Sequence, residues 1–397
     1  MARAVQRAIL GGQVAFMPRV GISEFVTLGR VIASGQLLRY RGGETGFTTR
    51  FETKLQEKLG VKHVLTVNSG TSALIAALAA AGIGPGDEVL VPAYTWVSTA
   101  IAPLAVGAVP ILVDVDESLT IDPKDIERKI TPYTKAIIPV HMLNLVCNMD
   151  TIIAIARKHK LKVIEDACQA VGVTYKGRRV GTIGDVGAFS FNQYKNITSG
   201  EGGAVLTNDD RVFTRARMYH DVGSYTREYE FEGNEPVFAG VNMRVSELTG
   251  AMLHAQLPRL DPLLRRLRKR HAVMTKHLSR SKQLRISPHN DSPNAVGLCV
   301  IFERSDEAKA FASHAGVERL IDTGRHVYIN WVPVLTQRAF HERMNPYQWA
   351  HREITYSADM CSRTLDILQR TCRVSLGAQY PLTFMKLRAK ILLHSVA

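Results

Sequence analysis

The chain is short of cysteine, of acid and of uninterrupted apolar length. Its five cysteines, Cys147, Cys168, Cys299, Cys361 and Cys372, are scattered, and no two stand at CxxC spacing. An odd, dispersed set speaks against a complete disulfide framework, and the reducing cytoplasm is the expected compartment. Thirteen histidines form no HExxH and no compact ligand cluster, so no metal site is expected. The opening MARAVQRAILGG is basic but lacks the long apolar core of a signal peptide. Residues 89–113 carry no charge and are long enough to span a bilayer. Pro92, Pro103, Gly107 and Pro110 interrupt them, so the stretch reads as strand, helix, strand within a core, and no membrane partner is expected. Internal repeats and long biased tracts are missing as well.

Acid is outnumbered, 36 residues against 50 Lys and Arg, for a formal charge of +14. That balance favours anionic partners. Its densest stretch is LLRRLRKRHAVMTKHL at 263–278, where five of the first eight residues are Arg or Lys. No binding motif or interleaved aromatic accompanies it, so it reads as a solvated helix face and not a nucleic-acid interface. With 397 residues, 46% hydrophobic and 22% charged, the chain can build one large core and a smaller second domain.

The stretch DVGAFSFNQYKNITSGEGGAVLT at 185–207 organises the rest. Two β-like runs, 186–191 and 203–207, flank a polar loop with one lysine, Lys195. Glycines at 200, 202 and 203 suit a tight backbone. A lysine so held can be an imine-forming nucleophile. A surface lysine in a hairpin loop fits the loop equally well.

Upstream the pattern alternates. Residues 1–48 are glycine-rich, with a helix near 22–34, and are expected to wrap the large domain or a second subunit. TRFE at 49–52 reads as a capping box opening a helix. Strands are expected at 61–67, 88–91, 109–113, 135–140 and 162–165, with helices between them. Such alternation means an α/β fold with a largely parallel sheet covered by helices. Ligands in such sheets collect at the carboxyl ends of strands. Ser69, Gly70, Thr71 and Ser72 follow one strand end and open a helix, where N–H groups and hydroxyls can hold a phosphate; a plain helix cap fits them too. Trp96 follows a second strand and can lie on a planar ring or pack in the core. Asp166 follows a third, and can pair with a cationic ring nitrogen or cap the next helix. Residues 220–244 read as a long irregular excursion. Pro258 and Pro262 mark an expected boundary between a large domain, 49–260, and a small α/β domain, 261–397.

Phosphate loop, aromatic, post-strand Asp and glycine-bounded lysine are the parts that hold pyridoxal phosphate, whose chemistry the protein orients. The motifs NSGTSAL (68–74), VPAYTWVST (91–99), VIEDACQAVG (163–172), GDVGAFSFNQYKNITSGEGG (184–203) and GVNMRVSE (240–247) resemble those of the sugar aminotransferase family of fold-type I pyridoxal-phosphate enzymes, which includes aminohydroxybenzoate synthases. The resemblance covers most of the chain, most densely 45–260. It implies an aspartate-aminotransferase-like architecture: a large three-layer mixed-sheet domain and a smaller C-terminal α/β domain. It implies that Lys195 holds the cofactor covalently and Asp166 partners the pyridine nitrogen. Gln169 would approach the ring hydroxyl, and Trp96 would stack on the ring. Thr71, Ser190 and the backbone around Gly70 and Ser72 would hold the phosphate. Asn242 would reach it from a neighbouring subunit, which implies a homodimer with shared sites. The implied reaction moves an amino group from glutamate or glutamine to a biosynthetic ketone in two half-reactions.

Departures bear on the substrate. Asn192-Gln193 stand where the family usually has His-Pro. TGRHVYINWVPVL at 323–335 and MNPYQW at 344–349 are also unusual. They favour a keto-sugar acid, a cyclitol ketone or a related intermediate over a standard nucleotide sugar. Arg325 is the candidate for a carboxylate, with a plain salt bridge as its other reading. Elimination, aromatisation or replacement through the same lysine stays open, as does a non-catalytic member of the fold.

Overall fold

The computed structural model describes residues 20–41, 43–223 and 235–396. Helices α1 (Ile22–Ser34) and α2 (Phe47–Leu59) lead into β1 (His63–Val67). Then come α3 (Gly70–Ala80), β2 (Glu88–Pro92), α4 (Ser98–Ala105), β3 (Val109–Val113), α5 (Pro123–Lys129) and β4 (Thr134–Ile137). Next are α6 (Met149–His159), β5 (Lys162–Asp166) and a ribbon of β6 (Thr174–Tyr175) and β7 (Arg178–Arg179). β8 (Val186–Ser190), β9 (Gly203–Thr207) and α7 (Asp210–His220) close the series. Seven strands form one sheet in the order β1-β9-β8-β5-β4-β2-β3. From β3 to β8 the pairs are parallel, while β9 runs antiparallel to both β8 and β1. Every residue of β2, β3, β8 and β9 is buried, as expected for a sheet covered on both faces. Leu74 and Leu78 of α3 and Ala216 of α7 pack one face. Phe51 and Leu55 of α2, Ile126 of α5 and Ile152 of α6 pack the other.

Helices α8 (Glu247–Gln256) and α9 (Leu260–Leu278) carry the chain to a second sheet. It comprises β10 (Leu284–Ile286), β11 (Cys299–Phe302), β12 (Val317–Arg319) and β13 (Thr371–Val374), antiparallel in the order β10-β11-β13-β12. Around it lie α10 (Ser305–Phe311), α12 (Ser362–Gln369) and α13 (Leu382–His394), with α11 (Val332–Leu335) on the excursion between β12 and β13. That excursion returns to the large sheet: Tyr328, Trp331, Val334 and Leu368 pack in one cluster with Leu74 and Tyr94.

Local expectations fail where a distant residue takes over. The helix expected to open with a capping box at 49 begins at Phe47, two residues earlier. Its N-terminal N–H groups are capped from 200 residues away by Glu247, which accepts from Phe47 N and, at 3.3 Å, from Thr48 N. Glu52, the expected closing residue of the box, instead pairs with Arg39 and accepts from Thr66 N at 2.6 Å. Pro262 does not end a helix. It lies in the first turn of α9, where its missing N–H has no intrahelical partner to lose. Of the irregular 220–244 stretch, 224–234 falls outside the described residues, as do residues 1–19 of the N-terminal segment. From Gly240 the chain runs beside α7, with Val241 N bonded to Tyr219 O at 2.7 Å and Asn242 bridged to Asp221.

His220 at the end of α7 is fully buried. Its Nδ1 donates to Arg217 O at 2.7 Å, and its Nε2 accepts from the Tyr40 hydroxyl at 2.8 Å. Burial first, and the Arg39 charge second, push its pKa down to about 3. Burial likewise pushes His271 down to about 4. Below pH about 6.5 the unfolded chain takes up protons that the folded chain refuses, so stability falls as pH falls. Each such histidine removes about 2 kcal/mol between pH 6.5 and pH 5, a window above the range where paired carboxylates titrate. Urea unfolding at the two pH values should show this loss; equal midpoints would contradict it.

Candidate active site

The carboxyl ends of β1, β2 and β5, with the β8–β9 loop, surround a cleft of about 740 Å³. Its walls include Ser69, Gly70, Thr71, Trp96, Asp166, Gln169, Ser190 and Lys195. Helix α3 opens at one end. Ser69 caps it through Ser72 N at 3.0 Å, and the Ser69 and Ser72 hydroxyls bond at 2.9 Å. Ser72 therefore turns to its cap and does not line the cleft. Thr71 Oγ1 donates to Ser98 Oγ at 2.9 Å, which brings the N-termini of α3 and α4 together. The approach of β8 to α3 requires glycine. A Cβ at Gly70 would stand 2.7 Å from Ser190 Cβ and 3.0 Å from Cys168 Sγ. A Cβ at Gly203, where β9 pairs with β1, would stand 2.3 Å from Ser69 O. Burial pushes the Cys168 thiol well above its ordinary pKa, so it stays protonated.

Asp166 ends β5 and is 4% exposed. Thr99 Oγ1 donates to one carboxylate oxygen at 2.8 Å and Cys168 N to the other at 3.1 Å. The Thr95 hydroxyl bonds that of Thr99 at 2.8 Å, a second tier of support. No Lys, Arg or His pairs with Asp166 among the described residues. A buried carboxylate with two neutral donors and no cation is a receptor for a positively charged group. Lys195 lies in the β8–β9 loop, which folds on itself: Phe191 N bonds Gly202 O at 2.8 Å, Gln193 N bonds Gly200 O at 3.0 Å, and Lys195 N bonds Asn192 O at 2.9 Å. Gln169 Oε1 accepts from Leu143 N at 3.2 Å, which fixes its amide at the wall.

Trp96 is 36% exposed. The Arg325 guanidinium lies 4.7 Å over its ring, and His326 packs at 5.1 Å, tilted. Arg325 is not among the residues lining the cleft, and its guanidinium packs on the indole of Trp96. Main-chain bonds Thr95 N to His326 O, 3.0 Å, and Tyr328 N to Ala93 O, 3.1 Å, strap this segment to the end of β2. Asn242 is exposed and also lies outside the lining; its Oδ1 accepts from Arg244 N at 3.1 Å. The cleft contains groups that sequence reasoning missed. Arg373 on β13 and Glu318 on β12 face each other in register, 3.8 Å apart, at its outer wall. Thr323 and His326 stand beside them. Thr323 O bonds His326 Nδ1 at 3.1 Å, so Nδ1 carries the proton and Nε2 is an acceptor. Burial lowers the His326 pKa, which keeps the ring neutral at pH 7.

The profile of the DegT/DnrJ/EryC1/StrS aminotransferase family matches residues 24–370. The chain belongs to that family. GDP-perosamine synthase of Caulobacter vibrioides is 45% identical over 54% of this chain and 57% of its own length. L-glutamine:2-deoxy-scyllo-inosose aminotransferase of Micromonospora echinospora is 39% identical over 69% of this chain and 66% of its own. The chain thus spans less than two thirds of either relative. The spore coat polysaccharide biosynthesis protein SpsC of Bacillus subtilis is 37% identical over 74% and 76%. Among solved structures, 3-amino-5-hydroxybenzoic acid synthase superposes with a TM-score of 0.78 at 26% identity, covering 96% of this chain and 97% of that one. DesV of S. venezuelae, solved with a ketimine intermediate, gives 0.75 at 29% identity over 93% of each chain. The architecture is fold type I, and the cofactor of this family is pyridoxal 5'-phosphate. The site suits that cofactor on its own evidence. The unpaired Asp166 offers a buried anion to a pyridinium, and the close-packed Gly70 and Ser190 gather hydroxyls and N–H groups at a helix N-terminus.

Proposed function

We propose that this chain is an aminotransferase that carries an amino group from glutamine or glutamate to the ketone of a sugar or cyclitol. The carrying observation is that Lys195 and the uncompensated Asp166 line one cleft. Lys195 would hold the cofactor covalently and Asp166 its ring nitrogen. Thr71, Ser190 and the α3 N-terminus would hold the phosphate, and Trp96 and Gln169 the ring. Bound there, the cofactor supplies an electron sink for the carbanion left when a C–H bond beside nitrogen breaks.

The chain's own residues divide the remaining work. Thr99 and Cys168 N fix the Asp166 carboxylate, so it presents a charge without reorganising. Lys195 Nζ, as a free amine, would be the base that takes the proton from the donor carbon and the acid that returns one to the acceptor carbon in the second half-reaction. Arg373, which lines the cleft beside Glu318, is a second guanidinium that an anionic substituent could meet there, besides Arg325. The names of the relatives support keto-sugars and cyclitol ketones as acceptors. We place the protein in the cytoplasm, since all five cysteines are buried free thiols.

A homodimer with shared sites belongs to the same reading. Ile22, Phe25 and Ile32 stand exposed on α1, and Val241, the residue before Asn242, is exposed as well. An apolar face of this kind suits a second copy. The decisive test of the reaction is a screen of keto-sugars and cyclitol ketones against cofactor-loaded protein, with glutamine as donor. One equivalent of keto acid per amine formed is expected. Keto-acid release with no aminated product, or an eliminated product instead, would reject amino transfer.

A further inference from the structure

The net charge of this protein is concentrated in one place that the cleft does not use. No Asp or Glu occurs over 262–290 or over 374–397. The first stretch is α9 with its exit to β10, and the second is the end of β13 with α13. The two helices pack against each other, and Ser281 Oγ donates to Val396 O at 2.5 Å, tying their ends. Some cations there are structural. Arg270 bonds Tyr380 O, Arg388 bonds the carbonyls of Ala315 and Gly316 at 2.9 Å, and Arg285 pairs with Glu117. Lys276, Arg280, Lys386 and Lys390 are different. All four are exposed, and none has an ion pair among the described residues. They lie close together: after burial, the charges of Arg280, Lys390, Lys276 and Lys386 hold the His277 imidazole below its ordinary pKa.

The patch is also apolar. Leu387 and Ile391, one turn apart on α13, are 52% and 51% exposed beside Lys386 and Lys390. Leu382 is exposed at the start of the same helix. Exposed aliphatic side chains and cations unpaired among the described residues thus share one face. Single-stranded nucleic acid would call for exposed aromatic rings to stack bases, and α9 and α13 expose none; a duplex would leave the exposed aliphatic side chains without a partner. A second copy would set cations against cations. Charge complementarity favours an anionic bilayer, where exposed aliphatic side chains can bury while the neighbouring lysines meet lipid phosphates.

We propose that the α9–α13 face docks on an anionic lipid bilayer, with Leu387 and Ile391 among the headgroups and the surrounding cations against lipid phosphates. This is attachment to a surface; no helix of the described residues is long and apolar enough to cross a membrane.

The test is co-sedimentation of the full-length, cofactor-loaded protein with vesicles. Equimolar phosphatidylcholine and phosphatidylglycerol should bind it, pure phosphatidylcholine should not, and added salt should release it. Each lysine removed should weaken partitioning roughly fivefold, so Lys386→Gln with Lys390→Gln should weaken it about 25-fold. Leu387→Ser with Ile391→Ser should also weaken it while leaving the salt dependence in place. Lys124→Gln with Lys135→Gln, on another surface, is the control and should bind as wild type. Unchanged cofactor absorbance and melting of each variant would show that folding is intact. No sedimentation with anionic vesicles, or equal binding by wild type and the Lys386/Lys390 variant, overturns the proposal. So does unchanged binding by the Leu387/Ile391 variant, which would leave a purely electrostatic patch. Salt-sensitive retention of duplex DNA without vesicle binding would assign the patch to nucleic acid and overturn it too.

Discussion

Lys195→Ala should lose the proposed amino transfer by at least about four orders of magnitude, because on that reading the covalent anchor and the proton carrier would vanish together. The fold should survive, since the surrounding loop is closed by main-chain bonds of Phe191, Gln193 and Lys195 that do not involve the side chain. Steady-state rates measure the first expectation. Intact mass after borohydride treatment measures the second half of the claim, with an adduct in wild type and none in the variant. Transfer retained in Lys195→Ala, or an adduct found at another residue, would remove Lys195 from the reaction. The same variant tests the shared-site dimer. Mixed with Asn242→Ala chains, half the dimers are mixed and one of their two sites is wild type, so about a quarter of full activity should return. No recovery after subunit exchange would place Asn242 outside the site.

Glu165→Gln should be the most damaging conservative change outside the cleft. Glu165 and His141 are both fully buried. One Glu165 oxygen accepts from Gly184 N at 2.6 Å and Ile183 N at 2.5 Å. The other accepts from Gly181 N at 2.8 Å and His141 Nε2 at 3.0 Å. His141 Nδ1 accepts from Cys147 N at 3.1 Å, so the imidazole cannot reverse its donor without losing that bond. Four donors thus point at one carboxylate. A glutamine sets its NH₂ against two of them whichever way the amide turns. Stranding buried donors costs about 1–3 kcal/mol each, so a loss of about 4 kcal/mol is expected. Thermal unfolding should shift down by roughly 5 °C. Because Glu165 precedes Asp166 and holds the approach to β8, cofactor affinity should fall with stability. An unchanged melting temperature would show that the loop at 181–184 stands without the carboxylate.

What could be read from the sequence follows how local each cause is. β9 is legible to the residue because two apolar runs flank a glycine-bounded loop, a pattern set within 23 residues. Asp166 and Gly70 were legible because they follow apolar strands in a βα series. The start of α2 was not, because its cap is a carboxylate from α8. Arg373 and Glu318 were passed over for the same reason. Nothing near them announces a site until β12 and β13 pair and the second sheet meets the first. Arg325, the carboxylate candidate of the unusual 323–335 segment, packs on the indole of Trp96. Tyr328 and Trp331, in the unusual 323–335 segment, are fully buried in the main core.

That burial separates two duties within a few residues. Tyr328 donates to Ala358 O at 2.5 Å and Trp331 Nε1 to Arg325 O at 2.8 Å, so the segment is moored from beneath. Thr323 and His326 meet the cleft from above it. A lineage could exchange the upper pair while keeping the moorings, and so acquire a new acceptor at little risk to folding. Grafting those two positions alone from one relative to another should carry preference with it, whereas moving the whole segment would import a foreign core.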